Sequence, residues 1–241
     1  MLTKNSEKTI HQALRSVESL AEVILIDTGS SDRTLEMAKE FDNVKIYSHA
    51  FTGFGDLKNL AMTYASNDWI LSLDSDEVLT PEALKEICET NLDSSTVYSF
   101  PFHNYYNGKW IKGCGWYPDR HIRLYNKKVT SFSASFVHEG IEVDHVGVVK
   151  FKNAIDHFSY LNIDDFLRKM ESYSTLFAEQ NQFKKESSIL KAFLHGFFAF
   201  FKSYFIKRGF FDGREGFIIS MYNGQTTFYK YLKLWEFNQK C

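Results

Sequence analysis

The chain has 241 residues, of which 44% are hydrophobic and 24% are charged, so it can bury a substantial core in one domain or in one domain with an extension. Its formal net charge of −2 gives no global basic excess of the kind that binds nucleic acid. Three widely spaced cysteines, Cys88, Cys114 and Cys241, indicate neither a disulfide framework nor a zinc site and suit a reducing compartment.

Helices and buried strands alternate through the first ~90 residues. Helical spacing of apolar residues predicts helices over 10–20, 35–41 and 57–64, and short apolar runs predict strands over 23–26, 44–47 and 69–73. Thr80-Pro81 predicts the start of a further helix, with a cap residue followed by proline at the first position. This alternation indicates an α/β fold with a mostly parallel central sheet and flanking helices.

Carboxylates follow two of the predicted strands. Asp27 comes directly after 23–26, and Asp74 comes directly after 69–73. Ligands of such sheets bind beyond the carboxyl ends of the strands, so both side chains are expected to face one crevice. Any strand before the first helix is nearly absent, because the chain passes almost at once through Thr3-Lys4-Asn5 into the helix.

The pattern changes after Asn91. Strands are predicted over 96–102 and 130–137, with a glycine- and aromatic-rich segment over 104–116 between them. Helical periodicity returns from Ile163, with Phe166, Leu167 and Met170 on one face.

The acidic strand end Asp74-Ser75-Asp76 has two interpretations. A divalent cation such as Mg²⁺ is often held by one or two carboxylates together with phosphate oxygens, and this pair provides them. The alternative is a solvated acidic turn in which Glu77 favours the N-terminus of the next helix. Asp27 is similarly either a ligand-binding acid or part of a turn that leads into the second helix.

The C-terminal stretch 189–206 is dense in phenylalanine and flanked by lysines and an arginine. Lys191, His195 and Lys202 interrupt it, so it is predicted to lie in the interface of an anionic membrane rather than to cross the bilayer. The alternative is a helix that packs on the rest of the chain or on a second subunit.

Three segments resemble the inverting glycosyltransferases of family 2, which have the GT-A nucleotide-diphospho-sugar transferase fold. They are TKNSE (3–7), ILIDTGSSDRT (24–34) and WILSLDSDE (69–77). Within that family the chain is most similar to the lipopolysaccharide-core β-1,4-glucosyltransferases. Four segments carry this closer resemblance: GWYPDRHIRLY (115–125), VHE (137–139), HFSY (157–160) and RGFFDGREG (208–216).

The resemblance implies a donor site and a metal site. The donor-binding residues it implies are Thr3, Asn5, Asp27, Asp74, Gly113 and Gly115. The metal ligands it implies for Mg²⁺ or Mn²⁺ are Asp74, Asp76 and His157.

The catalytic base implied by the resemblance is Glu139. It stands in a His138-Glu139 pair where the family usually carries Glu-Asp. Asp119 is the rival base. Its neighbours Arg120 and Arg123 would equally form a structural ion pair with it, or would hold phosphate or an anionic acceptor. Transfer from a nucleotide sugar needs one such base to take the proton of the attacking hydroxyl.

The resulting hypothesis is a metal-dependent hexosyltransferase. It moves a hexose, glucose by the closer resemblance, from a UDP-sugar to a glycolipid or oligosaccharide acceptor of the lipopolysaccharide core. It is expected in the cytoplasm, peripheral on the inner face of the cytoplasmic membrane, with a catalytic domain over 1–160 and a helical, basic-aromatic extension over 161–241. The rivals are a sugar nucleotidyltransferase, which would usually show a glycine-rich basic loop near Thr3–Glu7, and a non-catalytic sugar-binding protein, which would not need the acids.

Overall fold

A computed structural model describes residues 1–133 and 140–239 of the chain. The strands within these ranges are β1 (Leu2–Thr3), β2 (Val23–Asp27), β3 (Val44–Ser48), β4 (Trp69–Leu71), β5 (Glu77–Leu79), β6 (Thr96–Tyr106), β7 (Lys109–Trp110), β8 (Arg120–Asn126), β9 (Gly147–Lys150) and β10 (Ile155–Tyr160). The α-helices are α1 (Ile10–Arg15), α2 (Thr34–Ala38), α3 (Phe54–Tyr64), α4 (Pro81–Glu89), α5 (Ile163–Asn181), α6 (Ile189–Phe201) and α7 (Gly213–Gln239). A π-helical turn (Lys202–Ile206) and a 3₁₀ turn (Gly209–Asp212) connect α6 to α7.

The first sheet has the order β1-β2-β3, and all its pairs are parallel, as the alternation of helices and strands predicts. β2 is buried along its whole length. Its even-numbered residues Ile24 and Ile26 pack with Leu57 of α3, while Val23 and Leu25 share a cluster with residues of α1. Successive side chains of a strand point to opposite faces, so helices cover both faces of this sheet.

The second sheet has the order β4-β8-β6-β10-β5 and is mainly antiparallel. Among the pairs whose direction the described residues define, those of the first sheet and β6 with β9 are parallel, a narrower extent than the sequence pattern predicts. The reason lies in the connections. From Thr96 to Lys150 the described strands follow one another without an intervening helix, and consecutive strands without a crossover helix pair antiparallel.

The chain divides into two compact units. The first comprises 1–103 and 119–158, and the second comprises 104–118 and 159–241. The segment 104–118 thus groups with the C-terminal helices. The physical reason is an apolar cluster in which Tyr106, Ile111 and Cys114 pack with Phe166 and Ile219. The division into a catalytic domain over 1–160 and an extension over 161–241 stays a prediction.

Three long helices build most of the second unit. α5 starts with a capping box in which the Asn162 and Asp165 side chains each accept a backbone N–H of the other residue. α6 and α7 cross closely at Gly196 and Gly224: a Cβ added at Gly196 would lie 3.0 Å from the Gly224 carbonyl oxygen. Because small residues take the buried side of α6, its large apolar side chains point outward.

Candidate active site

The loops that follow β1 and β2 are joined by a set of hydrogen bonds. Asn5 has a positive φ of 53°, and its side-chain oxygen accepts the Ser31 N–H at 2.8 Å. The Ser6 N–H donates to the Thr34 hydroxyl at 2.7 Å. The Glu7 N–H donates to Asp32 at 3.2 Å. The segment around TKNSE is therefore fixed against the Thr-Gly-Ser-Ser-Asp turn, as two strand ends facing one crevice require.

The third loop, which follows β4, joins this set through Ser75. The Ser6 and Ser75 hydroxyls lie 2.8 Å apart and share a hydrogen bond. Ser75 stands between Asp74 and Asp76, so this single contact brings the acidic strand end to the loops that carry Asn5 and Asp27. That the Asp27 and Asp74 side chains face one crevice stays a prediction.

Asp27 is buried, and its carboxylate oxygens accept the backbone N–H groups of Gly29 and Ser30 at 3.1–3.2 Å. This is the turn-forming role that the sequence left open. Beside it in the β1–β2 register lies Thr3, whose buried hydroxyl has no hydrogen-bond partner among the described residues. An orphaned buried hydroxyl is costly, and a bound ligand would satisfy it. Donor contacts by Thr3, Asn5 and Asp27 remain predictions.

Asp74 is surrounded by cations. Its carboxylate lies 3.1 Å from the Lys58 ammonium and 3.5 Å from the Arg123 guanidinium, while 34% of the Asp74 side chain stays exposed. Desolvation would raise the pKa of Asp74, but Lys58 and Arg123 outweigh it and lower the pKa to about 2. Asp74 is therefore ionised at all physiological pH values, with its charge already compensated by the protein.

Glu77 fixes the position of the Arg123 guanidinium through two hydrogen bonds. Its side chain is 1% exposed and accepts two guanidinium hydrogen bonds, at 3.0 Å from Nε and 2.5 Å from an Nη. The guanidinium also lies over the Phe102 ring, 5.1 Å from its centroid. Planar, bidentate pairing holds the guanidinium in one orientation, with an edge toward Asp74.

Asp76 is paired with His157 instead. The carboxylate oxygen and Nε2 lie 3.6 Å apart, and the Asp76 side chain is 35% exposed. The pair is held by the β5–β10 ladder, in which His157 is opposite Glu77, and by the Phe158 N–H bond to the Asp76 carbonyl at 2.9 Å. Burial works to lower the pKa of His157, but the Asp76 carboxylate raises it above its usual value.

The donor set fits a divalent cation in part. Two ligands about 2.1 Å from one ion lie roughly 3.0–3.4 Å apart, so Asp76 and His157 need only a small adjustment to share one. Asp74 is ion-paired with Lys58 and Arg123 and does not add a third ligand to Asp76 and His157. The described ranges contain no group of three His, Cys, Asp or Glu side chains placed to hold a metal ion. The remaining ligands would be substrate oxygens and water, as is usual for Mg²⁺ with phosphates.

Of the two candidate bases, Asp119 lies within the described residues and Glu139 lies outside them. Asp119 forms an ion pair with His121, with 3.0 Å between the carboxylate oxygen and Nε2. Neither predicted arginine partner takes part in that pair. Arg120 donates to the Ser99 and Phe151 carbonyls at 2.7 Å. Arg123 forms ion pairs with Glu77 and Asp74.

Gly113 and Gly115 belong to the second unit. The Gly113 N–H donates to the Asp212 carboxylate at 2.6 Å, and a Cβ at Gly113 would lie 2.6 Å from both that carboxylate and the Arg208 carbonyl oxygen. Gly115 has a φ of +83°. Close packing and a left-handed backbone thus account for both glycines locally. Their predicted contact with a donor is not tested by this geometry.

Sequence reasoning missed Lys58 and the pairing of Arg123 with Glu77. A signal for Lys58 was present, since it is a cation on a helix between apolar Leu57 and Leu60, and such a position favours a buried partner. Nothing in the sequence of β8 distinguishes Arg123, which reaches Glu77 across strands that are not adjacent in the chain.

Comparisons with known proteins identify relatives over the whole chain. The sequence model described as "Glycosyl transferase family 2" matches residues 1–141. An uncharacterized glycosyltransferase of Rickettsia typhi is 31% identical over 255 residues, covering 100% of this chain and 87% of the relative. The lipopolysaccharide core biosynthesis glycosyltransferase LpsC of Rhizobium meliloti is 25% identical over 244 residues, covering 96% of this chain and 89% of LpsC. Among solved structures, glucosyl-3-phosphoglycerate synthase from Mycobacterium tuberculosis gives a TM-score of 0.42 at 16% identity, covering 68% of this chain and 72% of that one.

Proposed function

The chain belongs to glycosyl transferase family 2, and we propose that it moves a hexose, with inversion, from a UDP-sugar to a sugar hydroxyl of a lipopolysaccharide or lipooligosaccharide core. The observation that carries the proposal is the hydrogen-bonded set of loops after β1, β2 and β4, which ends at the partly exposed Asp76–His157 pair. The likeness to LpsC supports the choice of acceptor, and glucose is our choice of hexose.

In this proposal the donor is bound by the loops. The Thr3 hydroxyl, which has no hydrogen-bond partner among the described residues, lies beside Asp27, and this supports our assignment of Thr3, Asn5 and Asp27 to contacts with the uridine. Asp76 and His157 would hold Mg²⁺ or Mn²⁺, which when bound neutralises charge on the leaving diphosphate. Asp74 contributes through its fixed cationic partners, since Lys58 and Arg123 hold its loop in place.

The chemical step needs one proton acceptor from the chain. We assign it to Glu139, with Asp119 as the rival. The carboxylate takes the proton of the acceptor hydroxyl while that oxygen forms its bond to the anomeric carbon and the bond to the diphosphate breaks on the opposite side. A single in-line displacement of this kind inverts the anomeric centre.

We further propose that the second unit contacts a membrane surface on the cytoplasmic side. The 18-residue stretch Ile189–Ile206 is long and apolar enough to cross a membrane, and only 17% of it is buried. α6 buries the small residues Ala192 and Gly196 and exposes Phe197 and Phe198. The basic residues within this stretch or next to it in the sequence are Lys184, Lys185, Lys191, Lys202, Lys207 and Arg208. Outward phenylalanines with cationic flanks favour insertion into the interface of an anionic bilayer.

The test of the proposed activity is a thermal-shift and calorimetry panel. UDP-glucose and UDP are expected to stabilise the wild-type protein only with Mg²⁺ or Mn²⁺, and Asp76→Asn is expected to remove that effect without lowering the Tm of the unliganded protein. Asp68→Asn, at the other end of β4 and ion-paired only with exposed Lys128 among the described residues, is the matched control and should bind as wild type. Stabilisation by nucleoside triphosphates but not by UDP-sugars would indicate a nucleotidyltransferase instead. Binding of UDP-glucose without turnover on any core oligosaccharide would indicate a sugar-binding protein.

A further inference from the structure

The Asp119–His121 pair lies close to the Asp76–His157 pair within the first unit. The Phe102 ring contacts both imidazoles edge-on, with centroid distances of 4.7 Å to His121 and 5.7 Å to His157. The two imidazole centroids are therefore at most 10.4 Å apart, which is the sum of those two distances. Phe102 is only 1% exposed, so a close-packed core residue sets this spacing.

Strand pairing fixes the Asp119–His121 pair relative to Phe102. β6, which carries Phe102, lies between β8 and β10 in the sheet, so the two imidazoles stand on opposite sides of it. His121 is opposite Phe100, and directly opposed residues of an antiparallel pair point to the same face. The Phe102 N–H donates to the Asp119 carbonyl at 2.9 Å. The backbone of β6 therefore positions both members of the pair.

Both side chains of this pair are open to solvent. The Asp119 side chain is 35% exposed and the His121 side chain is 47% exposed. An exposed ion pair contributes little to stability, so folding alone does not account for it. Nε2 of His121 faces the carboxylate, and no residue in the described ranges forms a hydrogen bond with Nδ1. The pair thus has hydrogen-bonding capacity for a ligand.

The chemistry of the pair favours a sugar over a phosphate. A neutral imidazole that donates its Nε2–H to a carboxylate keeps Nδ1 as an acceptor, and the carboxylate has further lone pairs. Asp119 and His121 therefore offer acceptors side by side, and adjacent sugar hydroxyls are matching donors. A phosphate group would instead meet the negative charge of Asp119 and an acceptor nitrogen, so the pair disfavours it.

The distance between the two pairs suits one hexose ring. In the proposed function the diphosphate end of the donor lies at Asp76 and His157. A pyranose places O4 roughly 5–6 Å from O1, given bonds of about 1.5 Å. A hydrogen bond from the far hydroxyl adds about 2.8 Å. The hexose thus reaches on the order of 8 Å beyond O1, which spans most of the separation of at most 10.4 Å.

We propose that Asp119 and His121 bind the transferred hexose of the donor, accepting hydrogen bonds from the hydroxyls on the side of the ring far from the anomeric carbon. This inference rests on the proposed function and adds a specificity-determining pair to it. Asp119 then binds the sugar, and Glu139 remains the proton acceptor.

The test is calorimetry of His121→Ala and the wild type with Mg²⁺ present. The probes are UDP, which has no hexose, and UDP-glucose and UDP-galactose, which differ only at the 4-hydroxyl. Loss of one hydrogen bond should raise the Kd of the more tightly bound UDP-hexose by about 3–10-fold. The Kd of UDP should stay within about twofold, since UDP does not reach the pair. His121→Asn keeps an acceptor near the position of Nδ1 and should lose less, so it also carries the test if the alanine variant does not fold.

His11→Ala is the matched control. His11 forms a similarly exposed pair with Glu40, and its ring contacts Phe41 at 5.4 Å between centroids, so the same kind of pair is removed elsewhere in the first unit. This variant should bind all three probes as the wild type does.

Three results would overturn the inference. If the Kd of UDP rises with that of the UDP-hexose in His121→Ala, the pair is structural. If neither Kd changes, the pair does not bind the hexose, and a fall in turnover would then assign it to the acceptor or to proton transfer. If the wild type binds none of the three probes, the proposed function itself is wrong and the hexose site falls with it.

Discussion

Removing the guanidinium of Arg123 should cost more stability than any substitution of a surface charge. In Arg123→Met, Glu77 keeps a charge that is 1% exposed and loses both of its short hydrogen bonds to Arg123, and Asp74 loses one of its two cations. Breaking a buried ion pair from one side costs about 3–5 kcal/mol. For a chain of this length each kcal/mol shifts the Tm by roughly 2–4 °C, so differential scanning calorimetry should record a fall of about 6–20 °C.

Two comparisons check the reasoning behind that number. Arg15→Met removes an exposed i,i+3 pair with Glu18 and should change the Tm by less than about 2 °C. The double variant Glu77→Met/Arg123→Met leaves no unpaired buried charge and should recover more than half of the loss. If the Tm of Arg123→Met equals that of Arg15→Met, or if the double variant has a Tm no higher than that of Arg123→Met, the buried-charge account of this site is wrong.

Glu139→Gln should leave UDP affinity unchanged in calorimetry and reduce turnover by about 10²–10⁴-fold, with a smaller loss for Asp119→Asn; the reverse order would exchange their roles. Phe197→Ser with Phe198→Ser should lower binding to phosphatidylglycerol vesicles at least about tenfold in sedimentation, whereas Val148→Ser with Val149→Ser, which changes two exposed apolar residues of β9, should not. Chemical denaturation across pH should show the stabilisation by Asp74 complete above about pH 4 and lost as the pH falls through about 2, because its folded-state pKa is depressed to about 2; Asp74→Asn should remove this step.

The sequence predicts most of the first unit because its signals are local. The VILI run, the Thr80-Pro81 cap and the apolar spacing of 57–64 each specify their own element, and the structure places β2, α4 and α3 there. The antiparallel second sheet is less predictable, because its pairings join strands far apart in sequence, such as β4 with β8.

The candidate site likewise has features that the sequence predicts and features that depend on three-dimensional packing. That Asp74 and Asp76 follow an apolar strand is readable from residue order, and so is the position of Asp27. Which cation compensates which acid depends on three-dimensional distance: Arg123 stands four residues after the predicted base Asp119 but pairs with Glu77, 46 positions away. The assignment of 104–118 to the second unit also depends on packing, since its partners come from α5 and α7.

Each unit is assembled from two separate stretches of chain, and this has a consequence for synthesis. On the ribosome Tyr106, Ile111 and Cys114 emerge long before Phe166 and Ile219, with which they form a cluster. At about 5–20 residues per second, the ~100 residues from Cys114 to Ile219 take roughly 5–20 s to translate. During that interval the aromatic segment 104–118 lacks the residues it packs against, so it is open to chaperone binding and to self-association. A cell that slows translation after residue 118 should therefore lose soluble protein, even though the finished sequence is unchanged.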